Sequence, residues 1–409
     1  MVNPNWITCQ LGAREHYAVP RALALSGRLR RLLTDAWVSA GSAYRLLPGL
    51  KALKERSSAD LSSHRVAAAT LSSLRFEVEN RLTRRRAGWD LIQARNQHFQ
   101  NRALRLLRKE MAGCDDQCLI NLFAYSYAAK DIFTAARRRG WRCVLGQIDP
   151  GPEEERIVIA EHERYPHVGS RWQAAPTRYW DNWWREIDLA DAVVINSAWS
   201  RQCLTTDGVD DSKLKIIPLV YSPAAGLNRS PNATGILSDD HDRLATCQKR
   251  FELLFLGQVN LRKGIGRLID AMRLLADDRS IHLTIAGPLE IDLGFFENLS
   301  NVTYVGPVPR SEVGRLYQQA DAMILPTLSD GFALTQLECL AYGTPVVASR
   351  YCGTVVQDGI NGLILPDIEP TTIATVVSRM AEKPMIRPIP AEAGFSLNDL
   401  AGALMDLES

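Results

Sequence analysis

The sequence predicts an α/β protein built from two Rossmann-like, doubly wound domains. Short apolar runs alternate with stretches of helical period along the chain, the pattern of parallel sheets wrapped by helices. The chain has 409 residues, and one hydrophobic core seldom grows beyond about 250 to 300. A stretch rich in Ser, Asn, Asp, Gly and Pro, residues 222–249, breaks the cadence and reads as linker and loop.

In the first half the expected strands are Trp6–Gln10, Leu119–Phe123, Cys143–Gln147, Ala192–Asn196 and Leu214–Pro218. In the second half they are Leu253–Gly257, His282–Ala286, Val302–Val305, Ala322–Leu325, Pro345–Ala348 and Leu363–Leu365. This divides the chain into a first domain over residues 1–220, a second over 221–385 with its linker at 221–250, and a tail over 386–409. In the tail, Ser396 followed by Asp399 is a capping-box pattern. It opens a short helix whose Leu397, Leu400, Leu404 and Leu407 must bury a face, expected across the domain boundary on the first domain.

The composition, 46% hydrophobic and 23% charged, is that of an ordinary globular protein. A net charge of +2 conceals an imbalance, because residues 1–110 hold 20 Lys or Arg against 8 Asp or Glu. Over residues 75–110 the basic groups crowd a helical pattern in which Leu74, Val78, Leu82, Leu104 and Leu107 are spaced for a buried stripe. A solvated helix face accounts for that, as does attraction to anionic lipid or to a phosphorylated acceptor. Nucleic acid is not expected, since no aromatic residues interleave the basic ones. Eight scattered cysteines without a C-x-x-C pair read as buried thiols. With no basic leader and no apolar run of about 18 residues, the expected location is cytoplasmic, and peripheral at the inner membrane face under the lipid reading.

The chemistry is concentrated around Asp330-Gly331-Phe332-Ala333-Leu334, with Glu338 eight positions after Asp330. The segment follows an expected strand and opens a helix, so the N–H groups of Phe332, Ala333 and Leu334 form a candidate anion site. Asp330 is then free for sugar hydroxyls and Glu338 for ribose. Gly257-Gln258 ends an earlier strand, and Arg262 and Lys263 follow it as a cationic clamp for a diphosphate. Both segments belong at the carboxyl ends of strands, where open α/β sheets bind ligands. No complete dinucleotide fingerprint and no P-loop competes.

From Gly257 to Pro366 the chain resembles the donor domain of the retaining group 1 (family four) glycosyltransferases, whose two domains face one another in the GT-B fold. The resemblance rests on Lys263-Gly264, Ala286-Gly287-Pro288, Val305-Gly306-Pro307-Val308-Pro309, Asp330-Gly331-Phe332, Glu338, Gly343-x-Pro345-Val346-Val347 and Asp358-Gly359-x-Asn361-Gly362. It implies a nucleoside diphosphate sugar held by Gly12, Gln258, Val308, Gly331, Phe332, Ala333, Leu334 and Glu338, with Arg262, Lys263 and Asp330 at the reaction. Relatives usually carry Glu at 330 and Arg at 258; Arg262 is the substitute cation.

The first domain resembles the family more loosely. The Gly12 loop places His16 and Tyr17 as acceptor candidates, joined by Tyr127 from a later strand end, and Asp149 is a candidate catalytic group where relatives carry histidine. Glu161 to Tyr165 either reaches the acceptor or forms a surface helix with paired charges. The implied reaction moves a hexosyl group to a hydroxyl of a glycan, a lipid-linked glycan or a small metabolite, for example in polysaccharide biosynthesis. It needs no cofactor and no metal. A nucleotide-sugar-binding protein without turnover, and an epimerase or phosphorylase of the same architecture, are the alternatives.

Overall fold

Five consecutive buried residues, Trp6–Gln10, form the interior strand β1, as a strand covered on both faces requires. The computed structural model describes residues 5–39, 56–114, 119–169, 172–221, 250–386 and 395–408. The expected linker at 222–249 therefore lies outside the described residues, as do Cys118 and Cys247.

The chain divides into two compact units, one of residues 1–155, 174–220 and 395–409, the other of 156–173 and 221–394. Residues 156–173, expected with the first domain, cluster with the second.

The first sheet continues with β2 (Leu29–Thr34), β3 (Val66–Ala68), β4 (Asn121–Tyr125), β5 (Arg142–Gly146), β6 (Ala192–Ile195) and β7 (Leu214–Ile216). All its pairings are parallel, in the order β3-β2-β1-β4-β5-β6-β7. Helices α1 (Ala18–Leu25), α2 (Thr70–Thr83), α3 (Gly88–Ala112), α4 (Lys130–Arg137), α5 (Pro152–Arg164), α6 (Thr177–Leu189) and α7 (Ala198–Thr206) follow in chain order.

The second sheet holds β8 (Phe251–Leu256), β9 (Ile281–Ala286), β10 (Val302–Gly306), β11 (Ala322–Leu325), β12 (Val346–Ala348) and β13 (Gly362–Ile364). It too is parallel, in the order β10-β9-β8-β11-β12-β13. Its helices are α8 (Ile265–Leu274), α9 (Arg310–Gln319), α10 (Thr335–Ala341) and α11 (Pro370–Glu382). In both sheets the order reverses direction beside the first strand, between β1 and β4 and between β8 and β11. Those are the crevices where doubly wound sheets take ligands.

Helix α12 (Leu397–Met405) carries the expected capping box between Ser396 and Asp399. It packs on α1 in the first unit, with Leu400 and Leu404 buried beside Leu23 and Ala22. The Trp6 indole donates to Glu408 at 2.6 Å, tying the C-terminal turn to β1.

Two expectations change. Strands β2 and β3 were not expected, because Arg30 and Arg31 interrupt the apolar run of one and the other is three residues on the sheet's edge. Arg31 is accommodated by an ion pair to Glu110 at 2.8 Å. The expected single helical segment with a buried stripe is instead two helices, α2 ending where Arg84 adopts φ 46°. Leu107 is buried and Leu74 packs against Ala36 and Val38, but Val78 and Leu82 are 54% and 79% exposed.

Cys9, Cys143, Cys203, Cys339 and Cys352 are buried thiols. Burial pushes Cys143 and Cys352 up to about 12, so they stay protonated and inert.

Candidate functional site

At the β8–β11 crevice the backbones come into contact. Gly264 has φ 77°, and a Cβ there would fall 1.9 Å from the carbonyl oxygen of Pro326, so glycine is the side chain that fits. The Leu328 amide and the Thr327 hydroxyl both donate to the Arg262 carbonyl, at 2.9 and 3.2 Å. The Arg262 guanidinium donates to the Ser329 carbonyl at 3.2 Å and stands 3.9 Å from Asp330. Lys263 forms an ion pair with Asp330. The structure thus brings Arg262, Lys263 and Asp330, separated by 67 residues, into one cluster. Both partners of the ion pair are largely buried, with side chains 17% and 14% exposed.

The turn after Asp330 differs from expectation. The Phe332 and Ala333 amides, expected to be open to an anion, donate to Asp330 Oδ1 at 3.1 and 3.0 Å. Asp is one methylene shorter than Glu and closes on its own backbone two and three residues ahead. Ala333 is held at φ 60°, which costs about 1–2 kcal/mol for a residue with a Cβ. The helix begins only at Thr335, with Leu334 flanking it. Phe332 is buried, and its ring and carbonyl leave no room for a side chain at Gly353. Glu338 accepts from the Tyr317 hydroxyl at 3.2 Å. Gln258 is exposed, and Val308 is half-buried against the apolar cluster that contains Tyr317 and Leu325.

At the β1–β4 crevice the Gly12 amide donates to Asp35 at 2.9 Å, and Arg56 pairs with the same carboxylate at 3.1 Å. Glu15, His16 and Tyr17 then take left-handed φ of 50°, 50° and 61°. Side-chain bonds from Gln10 to the Gly12 and Arg14 carbonyls hold this strained turn. His16 is exposed, whereas Tyr17 is 1% exposed and packs edge-on to Trp37. Tyr17 is thereby a core residue and does not reach an acceptor.

Tyr127 and Asp149, candidates from adjacent strand ends, do meet. The Tyr127 hydroxyl donates to Asp149 Oδ1 at 2.5 Å, and Gln147 Nε2 and the Gly151 amide donate to the same oxygen at 3.1 and 3.0 Å. Trp183 fixes Gln147 through its Oε1 at 2.9 Å, so Asp149 is held in one orientation. The ring of Tyr127 stacks on Tyr179 with centroids 4.7 Å apart.

Two carboxyls that the sequence did not single out stand beside these groups. Glu15 lines a cavity of about 20 Å³ with Tyr125, Gln147 and Asn196, enough for one water. Burial pushes Glu15 up to about 7, against the neighbouring Arg14 charge. Glu186 accepts from the amides of Tyr127, Ala129 and Lys130 at 2.6, 2.7 and 3.0 Å, capping α4. Burial raises it to about 7 as well, although the three amides favour its charged form. Only the fold brings α6 to those amides, and no spacing signals it.

The linkage of Glu186 has a definite sign. Its folded value lies above the ordinary glutamate value of 4.5, so between pH 4.5 and about 7 the folded state holds the extra proton, and stability falls as pH rises through that window. The loss is about 3 kcal/mol. Urea unfolding across that range is expected to show a shallower pH slope for Glu186→Gln than for the parent; equal slopes would exclude this role.

Residues 250–383 match the family of Glycosyl transferases group 1. A D-inositol 3-phosphate glycosyltransferase of Streptosporangium roseum is 28% identical over 247 residues, covering 54% of this chain and 55% of that protein. The chain spans about half the length of the relatives it matches in sequence. The sucrose-phosphate synthase of Thermosynechococcus elongatus superposes over 99% of this chain and 95% of its own, with a TM-score of 0.60 and 15% identity. Anabaena Alr3699/HepE in complex with UDP superposes over 98% of this chain and 94% of its own, with a TM-score of 0.53 and 14% identity. These likenesses in structure extend through both sheets, and the family match covers the second. The second domain thus matches the group 1 glycosyltransferase family, and the two parallel sheets in this order share the GT-B fold of the solved structures.

Proposed function

We propose that the chain moves a hexosyl group, with retention, from a nucleoside diphosphate sugar to a hydroxyl of a glycan, a lipid-linked glycan or a small metabolite. The carrying observation is the cluster of Arg262, Lys263 and Asp330 in the crevice of the second sheet. A diphosphate bound there replaces Asp330 as the anionic partner of Lys263 and gains the Arg262 guanidinium beside it. The anomeric carbon–oxygen bond to the diphosphate opens, the acceptor oxygen bonds to that carbon on the same face, and the acceptor proton passes to the departing diphosphate oxygen. Stabilising the charge on the leaving group is the main task left to the protein. Glu338 holds the ribose hydroxyls. Asp149, fixed by Tyr127 and Gln147, orients the acceptor hydroxyl, with His16 on the neighbouring loop.

Uridine donors are the first to test, since a protein of this fold is described in complex with UDP-glucose. The sequence relatives named for inositol phosphate support a small polyol acceptor. A calorimetric screen of UDP, GDP and ADP against the purified chain is expected to find one binder, weakened in Glu338→Ala. Binding of none would remove the donor assignment. One observation favours a competing reading, binding without turnover: Asp330 already closes its own turn. Release of labelled nucleotide from a nucleotide sugar separates the two. Peripheral attachment to an anionic membrane through residues 75–110 belongs to this proposal. Among the described residues no helix is long and apolar enough to cross a membrane.

A further inference from the structure

The outward face of α2 reverses the usual arrangement of a solvated helix. Leu71, Val78 and Leu82 are 69%, 54% and 79% exposed, while the polar Asn80 on the opposite side is buried. At 3.6 residues per turn, Leu71, Arg75, Val78 and Leu82 fall within about 60° of one another, forming one stripe along the helix. Arg75 lies in the stripe and Arg81 beside it, and Arg84, Arg85 and Arg86 follow at the helix end, all exposed. Residues 70–87 hold five arginines against two glutamates, Glu77 and Glu79. Glu77 is occupied by Arg95 through two bonds of 2.7 Å. A charge run that only kept the chain in solution would turn its arginines out and its leucines in.

We infer that this face of α2 docks on an anionic lipid surface, the three apolar side chains entering the headgroup boundary and the arginines pairing with lipid phosphates. Its charge complements such a surface, and an amphipathic helix with an apolar stripe fringed by arginine is built to lie in that plane. The inference rests on the peripheral attachment proposed above, narrows it to α2 and the turn after it, and draws nothing from the donor site.

The test is sedimentation of the full chain with vesicles of phosphatidylcholine alone and of phosphatidylcholine mixed with phosphatidylglycerol. The expected result is binding to the mixed vesicles only, weakening as salt is added. Leu71→Ser with Leu82→Ser is expected to reduce partition about tenfold per leucine. Arg84→Ala, Arg85→Ala and Arg86→Ala together are expected to reduce it about fivefold per arginine. Equal binding to both vesicle types, no binding to either, or variants that bind like the parent would each overturn the inference. Should the leucine pair unfold the chain, the arginine variant decides. Nucleotide binding is measured separately without vesicles, so loss of docking and loss of the donor reading are read independently.

Discussion

Lys263→Ala is expected to lower kcat/KM for transfer from the nucleotide sugar by about 10²–10³, the usual consequence of deleting one group aimed at developing charge. The effect should exceed that of a surface lysine because the side chain is only 17% exposed and already sits against an anion. Two changes act together. The departing diphosphate loses a cation, and Asp330, left with only Arg262 at 3.9 Å to offset its charge, repels the incoming donor. Asp330 keeps Arg262 at 3.9 Å and its bonds from Phe332 and Ala333 in the variant, so the turn should persist and thermal stability should fall less than in a variant that strips a buried carboxylate of its cation. Steady-state transfer assays, with an unfolding scan of the same preparation, check both parts. A variant that transfers like the parent would end the assignment of the diphosphate to this crevice. Lys263→Arg helps to apportion the loss, since it retains charge but not the compact ammonium.

The second large effect concerns stability. Glu161 is 1% exposed and accepts three bonds of 2.6 to 3.1 Å from Arg267. Arg267 in turn reaches Glu369 at 2.7 Å, and Arg164 pairs with the same carboxylate. The ion pair therefore fastens the end of α5 to α8 and to the start of α11, helped by the bond from the Tyr165 hydroxyl to Asp270 at 2.6 Å. Arg267→Ala leaves a buried carboxylate without its partner, and the expected cost is about 3–5 kcal/mol. In a domain of about 150–250 residues that lowers the melting temperature by about 2–4 °C for each kcal/mol. The double variant Glu161→Met, Arg267→Met should recover most of the loss, because it removes both charges and keeps volume. Denaturant unfolding measures this. A loss under about 1 kcal/mol for Arg267→Ala would mean that water reaches Glu161.

Glu161 also shows where sequence reading stops. Its segment, Glu161-His162-Glu163-Arg164-Tyr165, is compatible with an acceptor contact or with a surface helix carrying paired charges. The decisive partner, Arg267, is 106 residues away. Tyr17 is a similar case, read as a loop residue near an acceptor and found in the core against Trp37. Tyr127 and Asp149, 22 residues apart, were legible as separate strand-end candidates, and adjacent β4 and β5 make them one network.

The pattern of apolar runs, the glycines at 257 and 264 and the order of motifs from Lys263 to Glu338 were enough to determine two doubly wound domains and a family resemblance. Local sterics and hydrophobic period act over a few residues and are written in neighbouring letters. Tertiary structure alone decided that Asp330 would close its own turn while pairing with Lys263, that Glu186 would cap α4, and that Val78 and Leu82 would face outward. Each depends on which distant groups arrive at the same place. Burial and partners, which set the charge state and exposure of a side chain, are properties of that arrival.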